Sequence, residues 1–142
     1  MQTTLTSIMA LDVGERRIGV ALAGSVAKLA QPLTTLEHTD NIFQMIAELA
    51  AEHHASELIV GLPRGLDGQE TAQTIATRKF AAELEQAVNL PTHLQDEALT
   101  SRQAEIELKV RGQPHAKADV DALAATYILE DYLKENSGVS HV

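Results

Sequence analysis

Apolar and polar residues follow two different periods along the chain, and this pattern predicts an alternation of strands and helices. Ser7–Val13 and Arg17–Ala23 are short apolar runs joined by residues 14–16, which predicts an antiparallel hairpin. A third run, Leu29–Leu36, is expected to extend this hairpin. From Thr39 the apolar positions recur at the spacing of an amphipathic helix, at Ile42, Ile46, Leu49 and Ala50.

The middle of the chain repeats the order of strand and helix. Glu57–Gly61 has the composition of a buried strand, and Thr92–Gln95 is predicted as another strand after the restart at Pro91. Between them, after a loop over residues 62–68, helical spacing resumes through Ile75, Phe80, Leu84 and Val88. A strand, helix and strand in this order require parallel pairing. The predicted class is therefore α/β, with a mixed sheet of an antiparallel hairpin and parallel strands, flanked by helices.

Two helices are predicted in the last third of the chain. Thr100 and Gln103 have the spacing of a capping box, which opens a helix running to about Val110. A second helix begins near Asp119, which is favoured as its N-cap. Its inner face carries Val120, Leu123, Ala124, Tyr127 and Ile128. We expect one domain over residues 1–135 and a flexible tail over residues 136–142.

Composition narrows the possible functions. The 142 residues, 44% of them hydrophobic, suffice for a single core. Twenty acidic and 11 basic residues give a net charge of -9, which disfavours a protein that coats nucleic acid by bulk charge. The absence of cysteine excludes disulfides and thiolate metal sites. Without a signal peptide or an apolar run near the ~18 residues of a membrane span, the chain is expected to be soluble and intracellular, with no membrane partner.

Acidic residues stand at three places where a ligand could bind. Asp12 interrupts an apolar strand, where a carboxylate needs a partner, a metal ion or a structural hydrogen bond. Asp96 and Glu97 fall at the end of a predicted strand, where open α/β sheets usually bind ligands, although either acid could instead favour a helix N-terminus. Asp121 shares its helical face with small and apolar residues, which leaves room for an ion. Such carboxylates suit Mg²⁺ or Mn²⁺ in phosphodiester hydrolysis.

Several segments together resemble one family. Leu11–Ala21 resembles the opening motif of the YqgF/RuvX family, the Holliday-junction-resolvase-like nucleases of pre-16S ribosomal RNA. Four further segments are similar to motifs of that family and occur in its order: Ile59–Pro63 with Asp67-Gly68, Arg78–Phe80, Asp96-Glu97 with Leu99–Ser101, and Lys117 with Val120-Asp121 and Ala124-Ala125. The similarity extends from about Ile8 to Leu133. One position departs from the pattern, since Ala98 stands where the family usually has Arg.

The resemblance implies an RNase H-like fold and a bacterial, cytoplasmic setting. It also implies that Asp12, Glu97 and Asp121 are the catalytic, metal-binding acids; the residues alone did not separate Glu97 from Asp96. Basic residues in or beside the motifs are the expected substrate contacts, namely Arg17, Arg64, Arg78, Lys79 and Lys117.

The expected activity is Mg²⁺- or Mn²⁺-dependent hydrolysis of structured RNA, as in 5′-end maturation of pre-16S rRNA, with the ribosomal precursor particle as a further partner. Branched DNA is the other substrate class. Two alternatives remain: a non-catalytic RNA- or protein-binding assembly factor on the same fold, and a sugar-kinase-like phosphotransferase, which would need a second domain. Both a monomer and a homodimer are compatible with the sequence.

Overall fold

A five-stranded sheet forms the centre of the molecule in the computed structural model, which describes residues 5–97 and 117–137. Its strands, in the spatial order β3-β2-β1-β4-β5, are β1 (Ser7–Val13), β2 (Arg17–Gly24), β3 (Gln31–Glu37), β4 (Ala55–Pro63) and β5 (Thr92–Glu97). β1 pairs antiparallel with β2 and β2 with β3, while β4 is parallel to both β1 and β5. The predicted mixed sheet is confirmed.

Helices cover both faces of this sheet. α1 (Ile42–Glu52) and α2 (Ala72–Val88) pack on one face, where Met9 and Leu11 of β1 contribute to the main core. α3 (Lys117–Ser137) packs on the other face, against a second core cluster that includes Ala10. Because successive residues of a strand point to opposite faces, β1 supplies both clusters and is buried on both sides. No helix in the described part of the chain is long and apolar enough to cross a membrane.

α2 turns the predicted face inward at Phe80, Leu84 and Val88, but its first turn differs from the prediction. Ile75 is 62% exposed, whereas Thr74 and Thr77 are buried together with Ala81 and Leu84. The hydroxyl of Thr74 donates to the Pro63 carbonyl and so satisfies its own polar group inside the protein. The helix also begins with a capping box between Thr71 and Thr74. Because its hydroxyl is hydrogen-bonded, Thr74 can be buried at the start of α2, where apolar spacing alone predicted that Ile75 is buried.

α3 lies unusually close to the sheet because two glycines face it. A Cβ atom on Gly19 would lie 1.9 Å from the Asp121 carbonyl oxygen, and one on Gly61 would lie 2.4 Å from Cδ1 of Ile128. At Gly19 the obstacle is backbone, so only glycine permits this approach, whereas at Gly61 it is the end of the Ile128 side chain. Asp119 lies in the first turn of α3 rather than at its N-cap, and the helix continues to Ser137, into the predicted tail. The helix predicted over Thr100–Val110 lies outside the described residues.

The far end of α3 is tied to the sheet by polar contacts. The Tyr132 hydroxyl donates to Glu57 at 3.0 Å, and its ring stacks on His93 of β5 with centroids 5.9 Å apart. Burial and the hydrogen bond to Glu57 raise the pKa of Tyr132 to about 12. These contacts fix α3 at one end of the sheet, while Gly19 fixes it at the other.

Candidate active site

The first predicted acid lies on the sheet face that α3 covers. Side chains alternate between the two faces of a strand, so Asp12 shares its face with Ala10. Ala10 packs in the same cluster as Ala125 and Ile128 of α3. Asp12 is partly buried and stands next to the last residue of β1. Its carboxylate therefore belongs to the α3 face, at the carboxyl end of β1.

Asp121 reaches the same place from the first turns of α3. Asp12 and Gly19 are directly opposite each other in the β1–β2 pair. The backbone of Asp121 lies against Gly19, as the predicted clash of a Cβ atom there demonstrates. Asp12 and Asp121 are thus brought together from positions 109 apart in sequence, with a glycine between them. The Asp121 side chain is 21% exposed, which leaves access from solvent.

Strand alternation distinguishes Glu97 from Asp96. The Gln95 amide donates to a glutamate of α3 at 3.0 Å, so Gln95 lies on the α3 face and Glu97, two residues further, lies there too. Asp96 points to the opposite face, where it accepts a hydrogen bond from Nε of Arg64 at 3.1 Å. Glu97, and not Asp96, shares a face with the other two candidate acids.

The three acids do not form a closed cluster. β4 lies between β1 and β5, which separates the backbones of Asp12 and Glu97 by about 10 Å across the sheet. Val60 of β4 pairs with Leu11 of β1 and with Leu94 of β5, so the residue of β5 level with Asp12 is Gln95. Glu97 therefore lies two residues further along the sheet than Asp12. In the described part of the chain, no group of three or more His, Asp or Glu residues is placed to hold a metal ion.

The chemistry of the donor set nevertheless fits a hard divalent cation. Mg²⁺ prefers oxygen ligands and is usually bound through one or two carboxylates together with waters and substrate phosphates. Asp12 and Asp121 supply two neighbouring carboxylates on one face, and Glu97 lies further along that face. An open pair of carboxylates, completed by a substrate phosphate, matches this mode of binding better than a preformed cage does.

Arg17 contacts one of these acids directly. Its Nε donates to Oδ2 of Asp121 at 2.7 Å, with side chains 31% and 21% exposed. At such exposure an ion pair adds little to folding stability. Its effect is on orientation, because it holds the Asp121 carboxylate toward β2. Arg17 was predicted to contact substrate; one of its five N–H donors is used here, and the guanidinium has others for a phosphate.

Two other predicted substrate contacts, Arg64 and Arg78, belong to a network of ion pairs. Nη2 of Arg78 lies 2.7 Å from Glu70, and Nη1 of Arg64 lies 3.4 Å from the same carboxylate. Arg64 also pairs with Asp96. The hydrogen bond from Arg78 holds the pKa of Glu70 below its usual value. Since two guanidinium groups face two carboxylates, the network carries no excess positive charge to attract a phosphate.

The remaining two predicted contacts are both lysines. Lys79 is exposed on α2, where its ammonium faces solvent. Lys117 begins α3, four residues before Asp121, and its side chain is outside the described part. Lysine binds phosphate as a point charge, and the substrate contacts of Lys79 and Lys117 stay predictions.

Sequence reasoning missed two residues that organise this end of the molecule. Glu70 joins the two arginines of the network, and Nδ1 of His38 donates to the Gly14 carbonyl at 2.7 Å. His38 follows β3 and is 24 residues from Gly14, so no local pattern links them. Only the pairing of β2 with β3 brings the histidine to the β1–β2 turn.

Comparison with known proteins gives a consistent result. Residues 6–135 match the family described as RuvX, Holliday junction resolvase. Relatives named "Putative pre-16S rRNA nuclease" include one from Chloroflexus aurantiacus, 40% identical, with 94% of this chain and 92% of the relative covered. Another, from Haemophilus ducreyi, is 40% identical over 92% of this chain and 98% of the relative.

Solved structures show the same fold. The structure of Thermus thermophilus RuvC with a Holliday junction substrate matches with a TM-score of 0.58 and 16% identity. The match covers 93% of this chain and 97% of that one. A second RuvC structure from the same organism matches with a TM-score of 0.53. The RNase H-like fold predicted from the sequence is confirmed.

Proposed function

This chain belongs to the RuvX family of Holliday junction resolvases, a family of nucleases, and we propose that it hydrolyses phosphodiester bonds of structured RNA with divalent cations. The proposed reaction is the maturation of the 5′ end of pre-16S rRNA. The observation that carries the proposal is the convergence of Asp12 and Asp121 at Gly19, on the face that also holds Glu97.

The chain's own residues divide the work of the proposed reaction. Asp12 and Asp121 would hold Mg²⁺ or Mn²⁺, and Glu97 would orient the attacking water from further along the same face. Arg17 directs the Asp121 carboxylate toward the sheet. When bound, the cations lower the pKa of a coordinated water and stabilise the leaving oxygen of the phosphodiester.

The names of the relatives support RNA over branched DNA as the substrate. The net charge of -9 is expected of a protein that makes few phosphate contacts, which we assign to Arg17, Lys79 and Lys117. Because so few contacts give weak binding to free RNA, we propose that the ribosomal precursor particle presents the RNA to the enzyme in the cytoplasm.

The proposal predicts which substrate is cut and under which conditions. Purified enzyme is incubated with 5′-extended 16S precursor RNA or with a four-way DNA junction, in Mg²⁺ or in EDTA, and the products are sized on gels. We expect cleavage of the RNA in Mg²⁺ and none in EDTA, since the carboxylates need a cation to act on a phosphodiester. The same assay is repeated with the precursor RNA inside the ribosomal precursor particle.

Two results would contradict this proposal. If the enzyme cleaves the DNA junction but leaves the precursor RNA intact, both free and in the particle, its substrate is branched DNA. Tight RNA binding without cleavage in either form would favour a non-catalytic assembly factor.

A further inference from the structure

A groove of about 640 Å³ opens on the other face of the sheet, at the same end as the candidate acids. Its walls come from the β1–β2 turn, from His38 after β3 and from the first half of α2. Val13 lines it, and Val13 is the immediate neighbour of Asp12 on the opposite face of β1. A strand of nucleic acid held at Asp12 would need only to cross the β1–β2 turn to reach this groove.

The walls of the groove suit a flat heterocyclic ring. Phe80 and His38 stand edge to face with ring centroids 5.5 Å apart, and Phe43 supports Phe80 from behind at 5.2 Å. The hydrogen bond from His38 to the Gly14 carbonyl fixes the imidazole. Aromatic rings held in this way are the surfaces on which proteins stack unpaired bases. The rings are therefore preorganised for a planar ligand.

The polar residues of the groove favour a base over a phosphate. Glu15 and Gln73 line it, whereas no Lys or Arg does so in the described part of the chain. A carboxylate repels phosphate but accepts hydrogen bonds from an exocyclic amino group, and an amide both donates and accepts. The nearest basic residues in sequence are Arg16 and Lys79, which follow Glu15 and precede Phe80 and are both exposed to solvent. This distribution of charge fits a nucleotide that places its base in the groove and its phosphate backbone at the rim.

We propose that this groove receives an unstacked, amino-bearing nucleobase of the RNA strand whose backbone lies at Asp12. The inference rests on the proposed function for the source of the base, but base binding itself requires neither metal nor cleavage. The pocket would give the enzyme a preference for RNA with an unpaired nucleotide beside the bond that is cut.

The test measures base binding separately from catalysis. Fluorescence anisotropy in EDTA compares a short oligoadenylate with an abasic RNA of the same length. Wild-type protein should bind the base-bearing RNA about tenfold more tightly, the scale of one base stacked on aromatic side chains. Ala76→Leu places an aliphatic side chain four residues before Phe80, where it covers the ring without adding an aromatic face, and should remove that preference. Ala82→Leu is the control, at an exposed position of the same helix outside the groove.

Three results would overturn the inference. They are equal binding of the two RNAs by wild type, a preference that survives Ala76→Leu, and a wild-type dimer in light scattering that Ala76→Leu disrupts. The last result would assign the groove to a second copy of the chain. If circular dichroism finds Ala76→Leu unfolded, Ala72→Leu takes its place in the same comparisons. None of these results bears on metal-dependent cleavage, which is scored in the separate assay.

Discussion

Replacing Asp12 with asparagine is expected to lower the metal-dependent rate of RNA cleavage by at least about a hundredfold, since losing even the hydrogen-bond partner of a metal ligand costs 10–100-fold. The substitution keeps the shape of the side chain and removes its charge. Folding should be retained, because Asp12 is only partly buried at the end of β1. The measurement is single-turnover cleavage of precursor RNA in Mg²⁺, with thermal unfolding as the check on folding.

Asp131→Asn is the matched control for this substitution. Asp131 lies on α3, ten residues and about 15 Å beyond Asp121, away from the proposed site. The chemical change is the same as in Asp12→Asn, and the Asp131→Asn enzyme should cleave RNA at the wild-type rate. An Asp12→Asn enzyme as fast as wild type would show that Asp12 does not take part in the reaction.

Replacing Gly19 with alanine is expected to destabilise the protein by about 3 kcal/mol, the upper part of the usual range for overpacking. The new Cβ atom would lie 1.9 Å from a backbone oxygen of Asp121, so α3 must move away from the sheet. The melting temperature should fall by roughly 10 °C. RNA cleavage should fall as well at temperatures where the variant is folded, because Asp121 moves away from Asp12.

Gly24→Ala provides the control for Gly19→Ala in the same strand. A Cβ atom on Gly24 meets nothing within 4 Å, so its effect on stability should stay within about 0.5 kcal/mol. Equal melting temperatures for the two variants would contradict the close approach of α3 to β2.

The sheet could be predicted from the sequence because its strands are apolar runs between clear breaks. Asp12 could be found for the same reason, since a charge in an apolar strand stands out. The burial of Thr74 in place of Ile75 could not be predicted, because it depends on a hydrogen bond to Pro63 that local spacing does not reveal. The role of Gly19 was equally hidden, as it depends on a helix about a hundred residues later.

The choice between Asp96 and Glu97 shows why the site could be predicted only in part. Apolar spacing in β5 would turn Leu94 inward, yet Leu94 is 38% exposed. The face that α3 covers instead carries Gln95 and His93, which make polar and stacking contacts with the helix. The orientation of β5 is thus decided by its partner on α3, and the local pattern of the strand does not contain that information.

The most direct test of the account compares Glu97→Gln with Asp96→Asn in the precursor RNA assay. These adjacent acids point to opposite faces of β5, and only Glu97 shares a face with Asp12 and Asp121. We expect Glu97→Gln to nearly abolish Mg²⁺-dependent cleavage and Asp96→Asn to retain it. Retained cleavage in Glu97→Gln, or the reverse pattern, would contradict the placement of the catalytic acids on the α3 face.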